Sequence, residues 1–129
     1  MQSNLSLRTV AILLSVNLLG ACQGDQAART EELLLGRWEI QEATRNGRPT
    51  ESLEELYFEF FQDGQMSTNL FGAPESSQYQ IDGDLIQQRE SRMETDYTIQ
   101  EITDSTLTLA TRMRDFDFQF RLRRSIQEE

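Results

Sequence analysis

Few side chains in this sequence can do covalent or acid-base chemistry, and their spacing narrows the options further. There is no histidine and no lysine, and Cys22 is the only cysteine. Composition therefore excludes a histidine base, a Schiff-base lysine, a Cys-His pair and a disulfide framework. Carboxylates remain. Asp82 and Asp84 stand two apart, as do Asp115 and Asp117, a closeness that invites comparison with calcium sites and two-carboxylate hydrolases. Asp and Gly also favour hairpin turns for backbone reasons alone, and both pairs fall at junctions between strand-like runs. They are read as turns. No catalytic residue, metal ligand or cofactor site is expected.

Charge points the same way. Twelve arginines face 22 aspartates and glutamates, for a net charge of −10. A surface this acidic repels phosphate backbones, so nucleic acid and anionic lipid faces are poor partners. Arg112, Arg114, Arg121, Arg123 and Arg124 gather near the C-terminus, where they are expected to pair with acidic side chains on neighbouring strands.

The cysteine has its own context. Arg8 supplies a positive charge, Val10 to Leu19 is an apolar run interrupted only by Ser15 and Asn17, and Gly20 and Ala21 precede Cys22. This is the order of a secretory signal, and the run is too short to span a bilayer, which takes about 20 apolar residues. Leu19-Gly20-Ala21-Cys22 resembles the lipobox of bacterial lipoproteins. The resemblance implies cleavage before Cys22, acylation of that residue and stable anchoring by two or more acyl chains. It also implies an exported protein. Gln23 is not the aspartate associated with inner-membrane retention, so the implied place is the outer membrane of a two-membrane bacterium, on its periplasmic or surface face. The chain divides into a signal peptide at 1–21, a lipidated tether at 22–30 and a domain at 31–129. The overall apolar content of 37% averages a greasy leader and a leaner domain.

Thr30-Glu31-Glu32 before Leu33-Leu34-Leu35 forms one capped helical turn, stopped by Gly36. Beyond it the apolar period switches to two, the mark of half-buried antiparallel strands. Trp38 and Ile40 open the series, followed by Leu56, Phe58 and Phe60, and Asp63-Gly64 turns the chain into Met66, Thr68 and Leu70. Tyr79 and Ile81, Leu85 and Ile86, Tyr97 and Ile99, and Leu107, Leu109 and Thr111 come next. Phe116, Phe118, Phe120 and Leu122 complete eight strands. Connections are short and none reads as a crossover helix, so the fold class is all-β, an eight-stranded antiparallel up-and-down meander closed into a barrel.

Gly36-Arg37-Trp38, directly after the helical turn, resembles the Gly-x-Trp opening of the lipocalins. The wider order matches short lipocalin-like domains of bacterial lipoproteins: lipobox, Leu-Leu-Gly-x-Trp, a Phe-x-Phe strand ending in Asp-Gly, Tyr-x-Ile-x-Gly-x-Leu, then Ile-Thr-x-x-Thr-Leu-x-Leu. The resemblance spans Leu34 to Arg124 and implies a late arginine that packs across the tryptophan and closes the barrel's base. Parity with Phe116, Phe118, Phe120 and Leu122 makes Arg124 the candidate partner of Trp38. Its implied function is binding of a small apolar or amphipathic ligand, with Trp38, Phe58, Phe60, Tyr79, Tyr97, Phe118 and Phe120 as the candidate lining. Those rings, with Phe116, are also large enough to fill an eight-stranded barrel.

Three readings stay open: a membrane-anchored ligand-binding lipoprotein, a non-enzymatic scaffolding lipoprotein that meets an unidentified envelope partner through outward-facing Tyr57 and Phe61, and an enzyme confined to Asp, Glu or Tyr chemistry. Acylation of Cys22 makes a direct prediction. Cys22→Ser should move the protein from the membrane fraction to the soluble fraction on cell fractionation, and unchanged membrane association would refute the anchor.

Overall fold

The structure, a computed structural model, describes residues 19–126, with side chains from Gln26 onward. Residues 1–18 of the 21-residue leader and the side chain of Cys22 lie outside the described residues. Helix α1 (Leu19–Leu34) leads into strands β1 (Gly36–Arg45), β2 (Arg48–Pro49), β3 (Tyr57–Phe60), β4 (Gln65–Thr68), β5 (Glu75–Asp82), β6 (Leu85–Arg89), β7 (Thr95–Ile102), β8 (Thr106–Met113) and β9 (Phe116–Arg124). Pairing runs β1-β3-β4-β5-β6-β7-β8-β9, antiparallel throughout, and β9 pairs back onto β1. Eight strands thus close the meander into a barrel, which leaves them no free edge.

Three features go beyond the period-two pattern. Helix α1 has 16 residues, not the single turn implied by the polar stretch before Leu33. Gln26, Ala27, Ala28 and Arg29 are good helix formers, and Gly20 and Gly24 cost only about 1 kcal/mol each. The helix also gains a packed end, since Leu34 is fully buried beneath the barrel. Secondly, the two-residue β2 extends the sheet beside β1 where β3 stops. Asn46 (φ 51°) and Gly47 (φ 80°) make its turn, a tight hairpin with both central residues left-handed.

The third feature is a pair of bulges, one between Ile40 and Glu42 in β1 and one between Ile99 and Glu101 in β7. An inserted residue bends a strand, which helps a short barrel curve shut. It also resets which side chains face inward. Strict alternation from Trp38 would send Glu42 and Thr44 into the barrel, whereas the bulge puts Ala43 and Arg45 in register with the inward Phe120 and Phe118. In β7 it sets Ile102, not Glu101, opposite Leu107.

The end of the barrel beside α1 is shut by one side chain. The Arg124 guanidinium lies 4.2 Å from the centroid of the Trp38 ring. Its Nη atoms donate to the carbonyls of Leu35 and Leu33, and its Nε donates to the carbonyl of Asp104 at 2.7 Å. Trp38 Nε1 donates to Leu34 O at 2.9 Å, so carbonyls that the helix end would leave unpaired find donors. Gly36 sits at φ 112°, and a Cβ there would come within 2.8 Å of Arg124 Nη1; only glycine suits both demands.

Replacing Arg124 with Ala removes a cation-π contact and leaves three carbonyls short of a donor, a loss of about 2–4 kcal/mol. Denaturant unfolding followed by the fluorescence of Trp38, the only tryptophan, should show a lower midpoint. An unaltered midpoint would mean that closure rests elsewhere.

Candidate functional site

Hairpin geometry divides the connections between two ends. The turns at Gly64, Gly83-Asp84 and Thr103 to Ser105 lie at the closed end, with α1. The opposite end gathers the tip of β1, the segments 69–74 and 90–94, and the β8–β9 turn. There the barrel opens into a cup of about 620 Å³. Its apolar wall is Leu70 and Phe71 after β4, Met93 before β7, Met113 closing β8, and Phe116 and Phe118 opening β9. Arg45, Arg92 and Arg114 complete the lining.

Below the wall, one inward step along the strands, lies a belt of buried polar side chains: Thr68, Ser77, Gln88, Thr95 and Thr111. Buried polar groups are costly unless paired, and these are. Thr68 Oγ1 donates to Tyr57 O at 2.7 Å, Thr95 Oγ1 to Met93 O at 3.0 Å and Thr111 Oγ1 to Asp96 O at 2.8 Å. Gln88 Nε2 donates to Ser77 Oγ at 3.0 Å, and the Tyr97 hydroxyl donates to Gln88 Oε1 at 2.8 Å.

The ring set is mostly core. Trp38, Phe58, Phe60, Tyr97 and Phe120 are buried, and none lines the cup. Phe58 meets Tyr97 edge-on at 5.2 Å and Phe120 at 6.0 Å, Phe60 meets Tyr79 at 5.1 Å, and Phe118 stacks on Phe120 at 5.9 Å. Half-buried Tyr79 donates its hydroxyl to Phe61 O at 3.3 Å. Of the seven candidate lining residues, only Phe118 reaches the cup. Phe116 shares their inward parity, but its height at the rim leaves it 41% exposed.

Other residues singled out by sequence fall elsewhere. Asp82 ends β5 and Asp84 lies in the β5–β6 turn, and Asp115 lies in the β8–β9 turn at φ 69°. Asp117 pairs with Arg112 at 2.9 Å and Glu42 with Arg121 at 2.8 Å. Tyr57 is not a free outward ring: the Arg37 guanidinium covers it at 3.9 Å and its hydroxyl meets Ser67 Oγ at 3.2 Å. Phe61 beside it is 42% exposed, so the two do not form one apolar patch. A larger cleft of about 780 Å³ runs outside the barrel between α1 and the ends of β5 to β7. Its walls mix Gln26, Arg29, Asp82, Asp84, Gln100 and Glu101 with Ala27, Leu33, Ile99 and Ile102, so that it is a surface groove of charged and aliphatic side chains with no aromatic ring in its lining.

Sequence parity passed over Arg45, Leu70, Phe71, Arg92, Met93, Met113 and Arg114. A signal for most of them exists, because in a meander every second connection falls at the same end. The segments 69–74, 90–94 and 114–115 are such a set. Arg45 has no such signal, since its inward aim depends on the β1 bulge.

The arrangement is that of a cup above a packed barrel. No protein-family model and no curated protein matches the chain. A solved structure of a lipocalin-like protein from Bacteroides uniformis matches it with a TM-score of 0.52 and 14% identity, over 72% of this chain and 99% of that one. The fold is therefore a lipocalin-like barrel.

Burial raises the pKa of the Tyr97 hydroxyl above the ordinary tyrosine value, opposed by a hydrogen bond with Thr95 and reinforced by Glu75. The folded state thus keeps a proton that the unfolded chain releases near pH 10. The contribution to stability is full below that pH and falls as pH rises further. Tyr97→Phe should flatten this alkaline loss and cost about 1–2 kcal/mol at neutral pH, because Gln88 Oε1 loses its donor. Thermal melts from pH 8 to 11 measure both effects; parallel curves for the two proteins would contradict them.

Proposed function

We propose that this protein is an exported, lipid-anchored binding protein that holds a small apolar or amphipathic ligand in the cup at the open end of its barrel, without a catalytic step. One observation carries the reading: the open end is a concave space walled by Leu70, Phe71, Met93, Met113, Phe116 and Phe118. Such a wall, with a few polar groups at its edge, is the usual make-up of a small-molecule site. Depth is limited. The ring core fills the lower barrel, so the ligand sits high, against the wall and above the polar belt.

Support for the anchor comes from the leader and Cys22. Helix α1 runs from the neighbourhood of that cysteine to the closed end. An acylated chain would therefore approach its membrane from the closed side, with the cup at the other end of the barrel. Gln23 favours the outer membrane of a two-membrane bacterium.

The test uses protein purified from membranes. Native mass spectrometry should show a small-molecule adduct on the wild type that is lost in Met113→Glu, a rim substitution that puts a charge into the wall with a change in stability of about 1 kcal/mol or less. An adduct equally present on both, or none on either, would count against the cup.

A further inference from the structure

The cup carries charge that a purely apolar ligand leaves unused. Arg45, Arg92 and Arg114 line it, in a chain whose acidic side chains outnumber its basic ones by 22 to 12. Among the described residues, Arg37, Arg89, Arg112 and Arg121 have carboxylates within 4 Å, whereas these three do not. Glu75 is near enough to Arg92 to accept a hydrogen bond at 2.7 Å, but from its backbone amide.

Their placement is specific. Arg45 faces inward only because the β1 bulge shifts the alternation, and its guanidinium lies 5.2 Å from the Phe116 ring. Arg114 occupies the first position of the β8–β9 turn at φ 50°, a left-handed conformation that a side chain adopts at a cost and glycine adopts freely. Arg92 comes from the β6–β7 segment. Three cations that converge on one apolar opening repel one another, and an anion held among them relieves that repulsion. Guanidinium groups also match the oxygens of carboxylates, sulfates and phosphates in paired hydrogen bonds.

Resting on the cup as the binding site, we infer that the ligand is a free single-chain anionic amphiphile, its tail against Leu70, Met113 and Phe118 and its head group among Arg45, Arg92 and Arg114. The polar belt fixes this polarity. Its side chains already donate to and accept from one another or the backbone, so a head group directed downward would meet groups that are already paired and would abandon the three cations at the rim.

The experiment is isothermal titration of the full chain carrying Cys22→Ser, without detergent, with three probes that share a twelve-carbon tail: dodecanoate, dodecyl maltoside and dodecyltrimethylammonium. Dodecanoate should bind at least roughly tenfold more tightly than the cationic probe, with the gap narrowing as salt is raised. Across shorter carboxylates, affinity should rise about fourfold per methylene until the cup is full. Combined Arg45→Gln, Arg92→Gln and Arg114→Gln should lower dodecanoate binding to the level of the maltoside and leave the maltoside unchanged. Arg114→Gly, which suits the left-handed turn, should weaken dodecanoate by about tenfold with no loss in melting temperature.

Equal binding of all three probes, unaffected by the arginine substitutions, would overturn the anionic ligand and leave the cup standing as an apolar site. Binding of none would overturn the cup itself. Vesicles of phosphatidylglycerol distinguish a free ligand from a bilayer surface: arginine-dependent retention on them, with no binding of dissolved dodecanoate, would assign the three cations to a membrane and refute the free amphiphile.

Discussion

Arg124 holds the closed end together. As the last residue of β9 it lies opposite Trp38 in the β1–β9 pairing that shuts the barrel, and its guanidinium covers the tryptophan ring while donating to Leu33, Leu35 and Asp104. One side chain therefore joins the end of the helix, the first strand, the last strand and the β7–β8 turn. A charged donor suits this place, because the carbonyls at the end of a helix carry partial negative charge and lack intrahelical partners. Gly36 follows from the same contact, since a larger residue would occupy the space taken by Arg124 Nη1.

From that end the interior changes in character along the barrel axis. Trp38 and Leu34 lie at the base, and the mutually packed rings of Phe58, Phe60, Tyr97 and Phe120 fill the space above them. The polar belt comes next, then the apolar wall and arginines of the cup. Rings packed among Leu56, Met66, Ile86, Leu107, Leu109 and Leu122 give the lower barrel a dense core, with aromatic pairs contributing about 0.5–1.5 kcal/mol each beyond their burial. The consequence is a shallow space. Stability is concentrated at one end and the open surface at the other, so the rim can vary in sequence with little effect on closure.

Much of this order was readable in the chain. Alternation in Phe116 to Leu122 and in Leu56 to Phe60 marks strands with one buried face, and Asp63-Gly64 and Asp82-Gly83-Asp84 mark turns, because each depends on local chemistry alone. Asn46-Gly47 is an equally strong local signal, yet the strand it leads into, Arg48–Pro49, has no apolar pattern to reveal it. The bulges were not legible: they answer to the curvature of the closed sheet, which no single strand encodes. They decide that Arg45 faces inward and Glu42 does not. The same limit applied to the rings, whose parity gives the face but not the height, so that Phe60 and Phe116 read alike although one is core and the other rim. The length of α1 was hidden because its packing partner is the base of a barrel formed by residues that follow it.

Under the proposal, the packed barrel takes its ligand at the rim and nowhere else. Amide NMR spectra recorded during titration with dodecanoate test this most directly. Shifts should be confined to the residues that line the cup, Arg45, Arg92 and Arg114 as well as Leu70, Phe71, Met93, Met113, Phe116 and Phe118, with the indole signal of Trp38 unmoved. Shifts that centre on Trp38, or on the groove beside α1, would contradict it.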